Sequence, residues 1–501
     1  MSNISSIIPL FTAIPLGGAF VISLIGRKAR WISDLLAILT ALVICVLSLL
    51  SVRIYNMYGV LTYSVGGWIP PVGIGMVLDG LTTFMLVVVN LVAFCVVIYS
   101  INYMERFTSK WKFYTLFFLM VAGMNGVIIS GDIFNFFVFL EIASVASYAL
   151  VAFGTEKHEL EAAFKYAVMG TIGSLFILLG IALLYGYTST LNMADMANVL
   201  AQKNTTNLTL MVSVMFLMGF GLKAAIVPFH GWLPDAHPSA PAPISAMLSG
   251  VLIKSLGIYA ICRIFFNVIG ISQPISSILM FLGALSMVVG GLLALGQWDL
   301  KRLLAYSSIS QIGYIVLAIG LATPLGILAG LFHLFNHSIF KSLLFLNSGS
   351  VEYITGTRDL KKMGGLSQNA PFTSTINLIG SMSIAGIPPF SGFWSKLFII
   401  VAVVQAGRFG YAFWAILVSI LTLAMYLKVT KYAFSGSLKE SLKHIKKVPV
   451  FMKLSMAILA VITLIGGLLL VPGVDELFLK PAADTMLQGV RYSTGILTGL
   501  K

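Results

Sequence analysis

The chain is 501 residues long, with 58% hydrophobic and 10% charged residues, against about 45–50% and 25% in an ordinary soluble domain. This composition excludes a soluble globular protein, and a mean hydropathy of +0.99 is too high for one or two membrane anchors. The net charge of +14 does not indicate nucleic-acid binding, because the basic residues lie in short loops between apolar runs, where they set topology and face anionic lipid.

Fourteen mostly apolar runs follow one another along the chain, each long enough to cross a bilayer. Charges, prolines or glycine clusters bound them. We therefore predict an all-α polytopic membrane protein of about 14 transmembrane helices. The predicted spans are residues 5–26, 31–53, 75–103, 113–131, 133–154, 161–186, 208–229, 243–268, 273–296, 302–322, 325–349, 372–405, 409–434 and 449–471.

The three cysteines, Cys45, Cys95 and Cys262, lie in separate apolar runs. Their spacing supports neither a disulfide framework nor a metal site, so we predict that they are packing residues. The sequence contains no glycine-rich phosphate loop and no redox ligand set. We expect no cofactor, no metal and no catalytic redox centre in this chain.

Basic residues in the loops predict the orientation of the helices. The odd-numbered loops hold sixteen of them and the even-numbered loops four, which places the odd loops in the cytoplasm and both termini outside. The sixteen are Arg27, Lys28, Arg30, Arg106, Lys110, Lys112, Lys157, Lys301, Arg302, Arg358, Lys361, Lys362, Lys439, Lys443, Lys446 and Lys447; the four are Arg53, Lys203, Arg263 and Arg408.

Three local matches indicate an internal duplication. "FKYAVMGTIGS" from Phe164 recurs as "FKSLLFLNSGS" from Phe340, "AIVPFHGW" from Ala225 as "GIPPFSGF" from Gly386, and "SYALVAFG" from Ser147 as "GYIVLAIG" from Gly313. The matches relate helices 5, 6 and 7 to helices 10, 11 and 12. The repeated unit is therefore five helices long. Because five is an odd number, the second copy has the opposite orientation in the membrane, as in many ion-coupled transporters. Convergent apolar composition is the alternative.

Several ionisable residues fall inside predicted spans. Each lysine there costs about 2.5–3.5 kcal/mol at a helix centre, so something must offset that cost. Glu141 is the only acidic residue near the middle of a predicted span, and Asp79 lies near a helix end. We predict that Glu141 forms an ion pair with Lys223. A static pair that fastens helix 5 to helix 7 is the alternative. The five lysines are Lys165, Lys223, Lys254, Lys341 and Lys396.

Helix 11 carries His333, His337 and Lys341 at i, i+4 and i+8 in "HLFNHSIFKSLLF", which places them on one face. Zinc is a poor explanation, because no third Cys, Asp or Glu ligand stands in register. Desolvation favours the neutral form of a buried amine, so unpaired lysines beside histidines can release and accept protons near neutral pH. We therefore predict a hydrated proton relay; histidines that bond to neighbouring backbone or hydroxyl groups are the alternative.

Two spans contain prolines that predict a broken helix. Pro228 follows Lys223 by five residues, and Pro388 and Pro389 precede "FSGFWSK", which ends at Lys396. Proline removes an internal hydrogen bond and frees carbonyl groups, and such breaks line cavities near the membrane midplane. A packing kink would explain one break better than two in corresponding places.

The long segments that carry these residues resemble a known family. "GLKAAIVPFHGWLPDAHPSAPAPISAMLSGVLIKSLGIY" (Gly221 to Tyr259), "HSIFKSLLFLNSGS" (His337 to Ser350) and "GIPPFSGFWSK" (Gly386 to Lys396) closely resemble the antiporter-like subunits of respiratory complex I and the Mrp sodium/proton antiporters. The resemblance implies fourteen helices with inverted repeats at helices 4–8 and 9–13. It divides the chain into residues 1–110 (three helices), 111–270 (first repeat), 271–435 (second repeat) and 436–501 (helix 14 and a short tail).

The same resemblance implies which residues act in transport. It matches the family's helix 5 glutamate to Glu141, its lysines of helices 7 and 8 to Lys223 and Lys254, and its helix 12 exit residue to Lys396. The helix 11 positions of the family match His333, His337 and Lys341. Some members carry an aspartate on helix 6, where this chain has Lys165, so no role is transferred to that position.

The expected function is that of a proton-translocating subunit in a larger complex of the cytoplasmic membrane, with further antiporter-like subunits as partners and sodium coupling left open. "GGWIPPVGIGMVLDGLT" (Gly66 to Thr82) is most similar to the Mrp D subunit and its counterparts in membrane-bound hydrogenases. We expect protons to enter through broken helix 7, pass from Lys223 to Lys254, cross the helix 11 stripe and leave near Lys396, with Glu141 as gate. A stand-alone ion or solute transporter and a structural scaffold are the alternatives.

Overall fold

The structure of the chain is a computed structural model, which describes residues 2–69, 72–203, 207–442 and 445–500. Lys443, one of the basic residues used above for topology, lies outside these ranges. So do Pro70 and Pro71, which belong to the segment that resembles the Mrp D subunit.

Twelve helices in the described ranges are long and apolar enough to cross a membrane, which confirms an almost entirely α-helical, multi-pass membrane protein. We number all helices that coincide with a predicted span. The twelve are α1 (Leu10–Lys28), α2 (Arg30–Tyr58), α3 (Gly80–Arg106), α4 (Lys110–Ile129), α5 (Ile133–Val151), α6 (Lys157–Thr188), α8 (Ala242–Val268), α9 (Gln273–Leu295), α10 (Leu300–Gly320), α11 (Pro324–Thr355), α13 (Phe409–Phe434) and α14 (Val450–Leu470).

The other two predicted spans, α7 and α12, are broken, as the prolines predicted. The first consists of α7a (Asn207–Lys223) and the short helix α7b (Leu233–Ser239). The second consists of α12a (Pro371–Ala385) and α12b (Ser391–Gln405), between which lie Pro388 and Pro389. The apolar halves α7a and α12b are shorter than the twelve spans, and no half alone reaches the roughly 20 residues that a transmembrane helix typically needs. A total of fourteen transmembrane segments, the division at residues 110, 270 and 435, and the inverted repeat therefore stay predictions.

A small hairpin departs from the all-helical prediction. Strands β1 (Leu61–Ser64) and β2 (Gly75–Leu78) are antiparallel, with Leu61 opposite Leu78, so residues 75–78 do not begin the third helix as predicted. The helix begins after Asp79, whose carboxylate accepts a hydrogen bond from the Thr82 backbone N–H at 2.8 Å. This N-cap satisfies one of the free N–H groups of the first turn.

Short helices complete the chain outside the spans, and three of them lie in the C-terminal tail. Their bounds are Ser2–Ser5, Met193–Gln202, Leu366–Asn369, Val474–Leu477, Leu479–Leu487 and Tyr492–Leu500.

The centre of the molecule is a bundle of fully enclosed helices. Almost every residue in the apolar stretches of α8, α10 and α11 is buried, whereas only a third are buried in α1, α2 and α14. The peripheral helices thus face lipid or other subunits with apolar side chains. Polar residues on the central helices are shielded from lipid by the rest of the chain, which is where ionisable groups in a membrane are tolerated.

A buried ion pair connects α3, α8 and the C-terminal segment. Arg263 Nη2 lies 2.8 Å from Asp79 Oδ2, and the two side chains are 2% and 0% exposed. Arg263 also donates to Tyr259 and Thr82, each at 3.2 Å. One turn further along α8, Asn267 donates to the Thr485 carbonyl at 2.7 Å. The two opposite charges therefore compensate each other in the interior, which a buried pair requires.

Arg263→Met is expected to lower the free energy of unfolding by about 3–5 kcal/mol, because it leaves the Asp79 carboxylate buried without its partner. Asp79→Asn in the same chain removes that charge and keeps an N-cap acceptor. The double variant should therefore lose less stability than the sum of the two single variants. A double-mutant cycle measured by denaturation in detergent checks this, and additive losses would show that the two side chains do not interact.

Candidate functional site

Glu141 and Lys223 form the ion pair that the sequence predicted. Lys223 Nζ lies 3.4 Å from Glu141 Oε1 and donates to Ser144 Oγ at 2.9 Å. Tyr148 OH is 3.4 Å from the same nitrogen, and Ser174 on α6 donates to the Glu141 carboxylate. Glu141, Ser144 and Tyr148 share one face of α5 because they are spaced by three and four residues.

Local chain geometry explains why the lysine is held here. Lys223 is the last residue of α7a, and the carbonyl end of a helix attracts a positive charge. Trp232, beyond the break, donates to the Leu222 carbonyl at 3.1 Å, so it satisfies one of the acceptors that the helix end leaves free. The break thus places an ammonium group beside α5.

Glu141 also faces outward. Its side chain is 31% exposed and lies in a surface groove of about 530 Å³. The rest of the groove is formed by side chains of α4 and α5 that are all apolar, namely Leu116, Leu119, Phe137, Val138, Ile142, Val145, Ala146 and Ala149. The carboxylate is therefore both an ion-pair partner inside the chain and a polar group on an apolar face.

Lys254 lies at the centre of the molecule and is 0% exposed. It donates to the carbonyl groups of Ser249 and Gly250, the latter at 2.8 Å. Both carbonyl groups lie where α8 is widened into π-helical turns, at Leu248–Leu252 and Lys254–Tyr259, an arrangement often found at functional sites. Among the described residues, no carboxylate forms an ion pair with Lys254.

The stripe on α11 is fully buried, and its three members have different surroundings. His333 Nδ1 is 2.9 Å from Ser395 Oγ and its Nε2 is 3.2 Å from Gln311 Oε1. Both ring nitrogens of His337 lack a hydrogen-bond partner among the described residues. The alternative that the histidines only form hydrogen bonds to neighbouring groups therefore applies to His333 but not to His337.

Lys341 completes the stripe without a carboxylate partner. Its Nζ donates to Ser307 Oγ at 3.0 Å and to Tyr426 OH at 3.2 Å. Both acceptors are neutral hydroxyl groups, so they solvate the ammonium group without balancing its charge. In the described part of the chain, no cluster of three or more His, Cys, Asp or Glu side chains is arranged to hold a metal.

Lys396 lies on α12b, just after the second break, and is buried. It donates to Ser419 Oγ at 3.3 Å, and its Nζ stands 5.0 Å from the centre of the Tyr314 ring. It lines a second groove, of about 280 Å³, that is otherwise mainly apolar. Ser395, its neighbour in sequence, contacts His333, so the second break adjoins the α11 stripe.

Five buried basic residues of α8, α11 and α12b form a group that we call the buried row: Lys254, Lys341, His337, His333 and Lys396. Lys254 acts through space on Lys341 and on both histidines, and Lys396 also acts on both histidines. Unlike Lys223, no member of the row has a carboxylate within ion-pair distance among the described residues.

Lys165 is not the buried lysine that the sequence predicted. Its side chain is 47% exposed, and its Nζ lies 2.9 Å from Glu161 and 3.1 Å from Asp235. Helix α6 is 32 residues long, or about 48 Å, which exceeds the hydrocarbon thickness of about 30 Å. The first turns of α6 can therefore extend beyond the apolar layer. Of the five lysines predicted inside spans, the other four are buried.

A network of ion pairs surrounds α7b, in a cavity of about 290 Å³. Asp235 is shared between Lys165 and Arg302, at 3.1 and 3.6 Å. Arg358 lies 3.3 Å from Asp299 and donates to the Pro238 carbonyl. We call Lys165, Asp235, Asp299, Arg302 and Arg358 the charged mouth. The charged mouth connects α6 and α10 through the short helix α7b, which lies between them.

His237 was not predicted as a site residue. It lies on α7b and is 0% exposed, its ring stacks on Phe345 at 4.6 Å, and neither ring nitrogen has a hydrogen-bond partner among the described residues. Lys341, Lys301 and Lys254 are the charges that act on it. A histidine between Pro234 and Pro238 in a broken span is a signal that could have identified it, since intramembrane ionisable residues are rarely without function.

Two family profiles match the sequence. The profile described as "NADH:quinone oxidoreductase/Mrp antiporter, TM" matches residues 130–424, a range that contains all seven predicted site residues. The profile described as "NADH-Ubiquinone oxidoreductase (complex I), chain 5 N-terminus" matches residues 68–114.

Individual relatives extend these matches. The chain is 37% identical over 393 residues to the D subunit of an Na(+)/H(+) antiporter from Alkalihalophilus pseudofirmus, covering 78% of this chain and 79% of that protein. It is 36% identical over 383 residues to the N subunit of an NADH-quinone oxidoreductase from Desulforudis audaxviator, covering 75% and 76%. A chain in the solved structure of the Mrp complex from Dietzia sp. superposes with a TM-score of 0.90 at 29% identity, over 100% of both chains.

Proposed function

This chain belongs to the NADH:quinone oxidoreductase/Mrp antiporter transmembrane family, and we propose that it is the proton-translocating subunit of a multi-subunit membrane complex. The observation that carries the proposal is the buried row, whose lysines and histidines are enclosed in the protein and have no carboxylate partner among the described residues. A charge left uncompensated in a membrane interior is costly. Groups in that position can exchange protons instead of holding a fixed charge.

The charged mouth supplies protons to the row. The carboxylates of the mouth are already paired with basic side chains, so this role rests on position: His237 lies on the short helix that the mouth surrounds. From His237 a proton passes to Lys341 and Lys254, then along His337 and His333 to Lys396. Water must complete this path, because a buried imidazole with two unbonded nitrogens needs a hydrogen-bond partner.

Glu141 and Lys223 act as the gate. When a charge approaches the pair, the balance between its ionised and neutral forms shifts, and Lys223 becomes a better or worse proton donor. The hydroxyl groups of Ser144 and Tyr148 hold the ammonium group in place while the carboxylate responds.

Other membrane subunits complete the site. A carboxylate that is 31% exposed in an apolar groove would face hydrocarbon if the chain were alone, at a cost of several kcal/mol. A neighbouring subunit that covers the α4–α5 face removes this cost. Lys396 borders a similar groove at the other repeat, which would allow contacts on two sides and favours further antiporter-like subunits as partners.

The remaining assignments are part of the same proposal. The complex lies in the cell membrane, with the odd-numbered loops in the cytoplasm and both termini outside, and the charged mouth then faces the cytoplasm. The two broken segments each cross the bilayer, which gives fourteen, and the two five-helix units are inverted repeats. We favour the assignment of this chain as the D subunit of an Mrp antiporter, with sodium as a second transported ion. The other assignment is a subunit of a redox-driven complex.

Transport should depend on the assembled complex. We expect vesicles that contain the purified complex to show acidification, measured with a pH-sensitive dye after an ion or redox pulse, and vesicles with this chain alone to show none. Transport by the chain alone would identify a stand-alone transporter and contradict the proposal. Mass spectrometry of the intact complex decides between the two assignments, since hydrogenase or iron–sulfur subunits would identify a redox pump.

A further inference from the structure

A third groove, far from the buried row in sequence, lies between the N-terminal end of α1 and the C-terminal end of α2. Its volume is about 600 Å³, and most of its surface is apolar. The residues that line it are Ile4, Ser6, Ile7, Leu10, Leu50, Arg53, Ile54, Met57 and Tyr58.

Arg53 is the one charged residue among those that line the groove. Its side chain is exposed, and in the described part of the chain it forms no ion pair, in contrast to the arginines of the charged mouth. It is also one of the few basic residues on the side of the membrane that the topology predicts to be outside, where basic residues are generally depleted. Its charge is therefore not explained by topology or by pairing.

The position of Arg53 along α2 gives it the depth of a lipid phosphate. Arg30 and Arg53 lie 23 residues apart on one continuous helix, or about 34 Å. A hydrocarbon layer of about 30 Å separates them, so the two guanidinium groups reach opposite headgroup layers. Leu50, one turn before Arg53, lies at the edge of the acyl region.

We propose that this groove binds one anionic phospholipid, with the phosphate at Arg53 and an acyl chain along Ile7, Leu10 and Leu50. A planar guanidinium group binds phosphate through two parallel hydrogen bonds, and the apolar walls match a chain of methylene groups. Tyr58 borders the same groove at the interface, where aromatic rings are favoured. This site is independent of the proposed transport function, because it shares no residue with the buried row or the mouth.

Native mass spectrometry of the delipidated full-length chain, with added phosphatidylglycerol or phosphatidylcholine, tests the proposal. We expect the wild-type chain to retain phosphatidylglycerol in preference to phosphatidylcholine, and Arg53→Gln to lose that preference, with roughly tenfold weaker retention for the loss of one charge-assisted contact. Arg408→Gln is the matched control, since Arg408 is also exposed and also in an even-numbered loop. Ile7→Trp, which fills the acyl part, should weaken retention of both lipids.

Three results would overturn the proposal: equal retention of phosphatidylglycerol by Arg53→Gln and wild type, displacement of the lipid by millimolar inorganic phosphate, or no preference between the two lipids in the wild-type chain. A photoreactive amino acid at Met57 in the assembled complex provides a second measurement. Crosslinks to phospholipid would support the site, and crosslinks to a neighbouring subunit would show that the groove is a protein interface.

Discussion

Replacing Lys223 with alanine is expected to abolish proton movement in vesicles that carry the assembled complex, while the amount of complex stays unchanged. The variant removes the amine 3.4 Å from Glu141 and therefore the gate on which the proposed mechanism depends. Glu141→Ala should have the same effect. Dye-monitored acidification, normalised to the subunit content of the vesicles, is the measurement.

The Lys223→Arg variant distinguishes a Glu141–Lys223 pair that gates proton transfer from a static pair that only holds two helices together. Arginine keeps the positive charge and can pair with Glu141, but it cannot be deprotonated in a protein. A gate that must release its proton is therefore expected to fail in this variant, by tenfold or more in rate, whereas a static pair would tolerate it. Lys157→Ala, a change of an exposed lysine, should transport normally. Full transport by Lys223→Ala or Lys223→Arg would disprove the proposed role.

Lys341→Met is expected to abolish transport without lowering thermal stability. Lys341 is 0% exposed and bonds only to hydroxyl groups among the described residues. Replacing a buried charge with an apolar side chain of similar volume is often neutral or stabilising. The transport rate should therefore fall, while the melting temperature of the purified complex stays unchanged or rises.

Lys110 provides the matched control for this prediction. It is also a buried lysine, but its Nζ lies 2.6 Å from Asp34, and it donates to the Ile101 carbonyl at 2.5 Å. Lys110→Met leaves Asp34 without its partner, so we expect a lower melting temperature and unchanged transport per assembled complex. If Lys341→Met lowers stability as much as Lys110→Met and transport falls only in proportion to assembly, the row is a scaffold.

The sequence was sufficient to predict much of this architecture because the membrane restricts what a chain can do. Long apolar runs must be helices, and the prolines within α7 and α12 indicated that these two are broken. Proline alone does not decide this, because Pro15 lies inside the continuous helix α1. The pairing of Glu141 with Lys223 followed from the small number of acids within the spans. The stripe on α11 followed from helical periodicity, and its members do share one buried face.

Three features depended on information that hydropathy does not contain. Lys165 was assigned to the interior because a run of apolar residues does not show how far a long helix extends beyond the bilayer. His237 was missed because α7b is only seven residues long and has no apolar run of its own. The exposure of Glu141 could not be predicted, since a sequence does not show which helix face lacks a neighbour from the same chain.

The like charges of the buried row affect how protons would move along it. Lys254 acts on Lys341 and on both histidines, and like charges in a poorly screened interior repel one another. Under the proposed function, a proton that arrives at one end repels the protons already bound further along the row. Transport would then proceed by knock-on, as ions move through a multi-site channel, with each arrival at one end favouring a departure at the other.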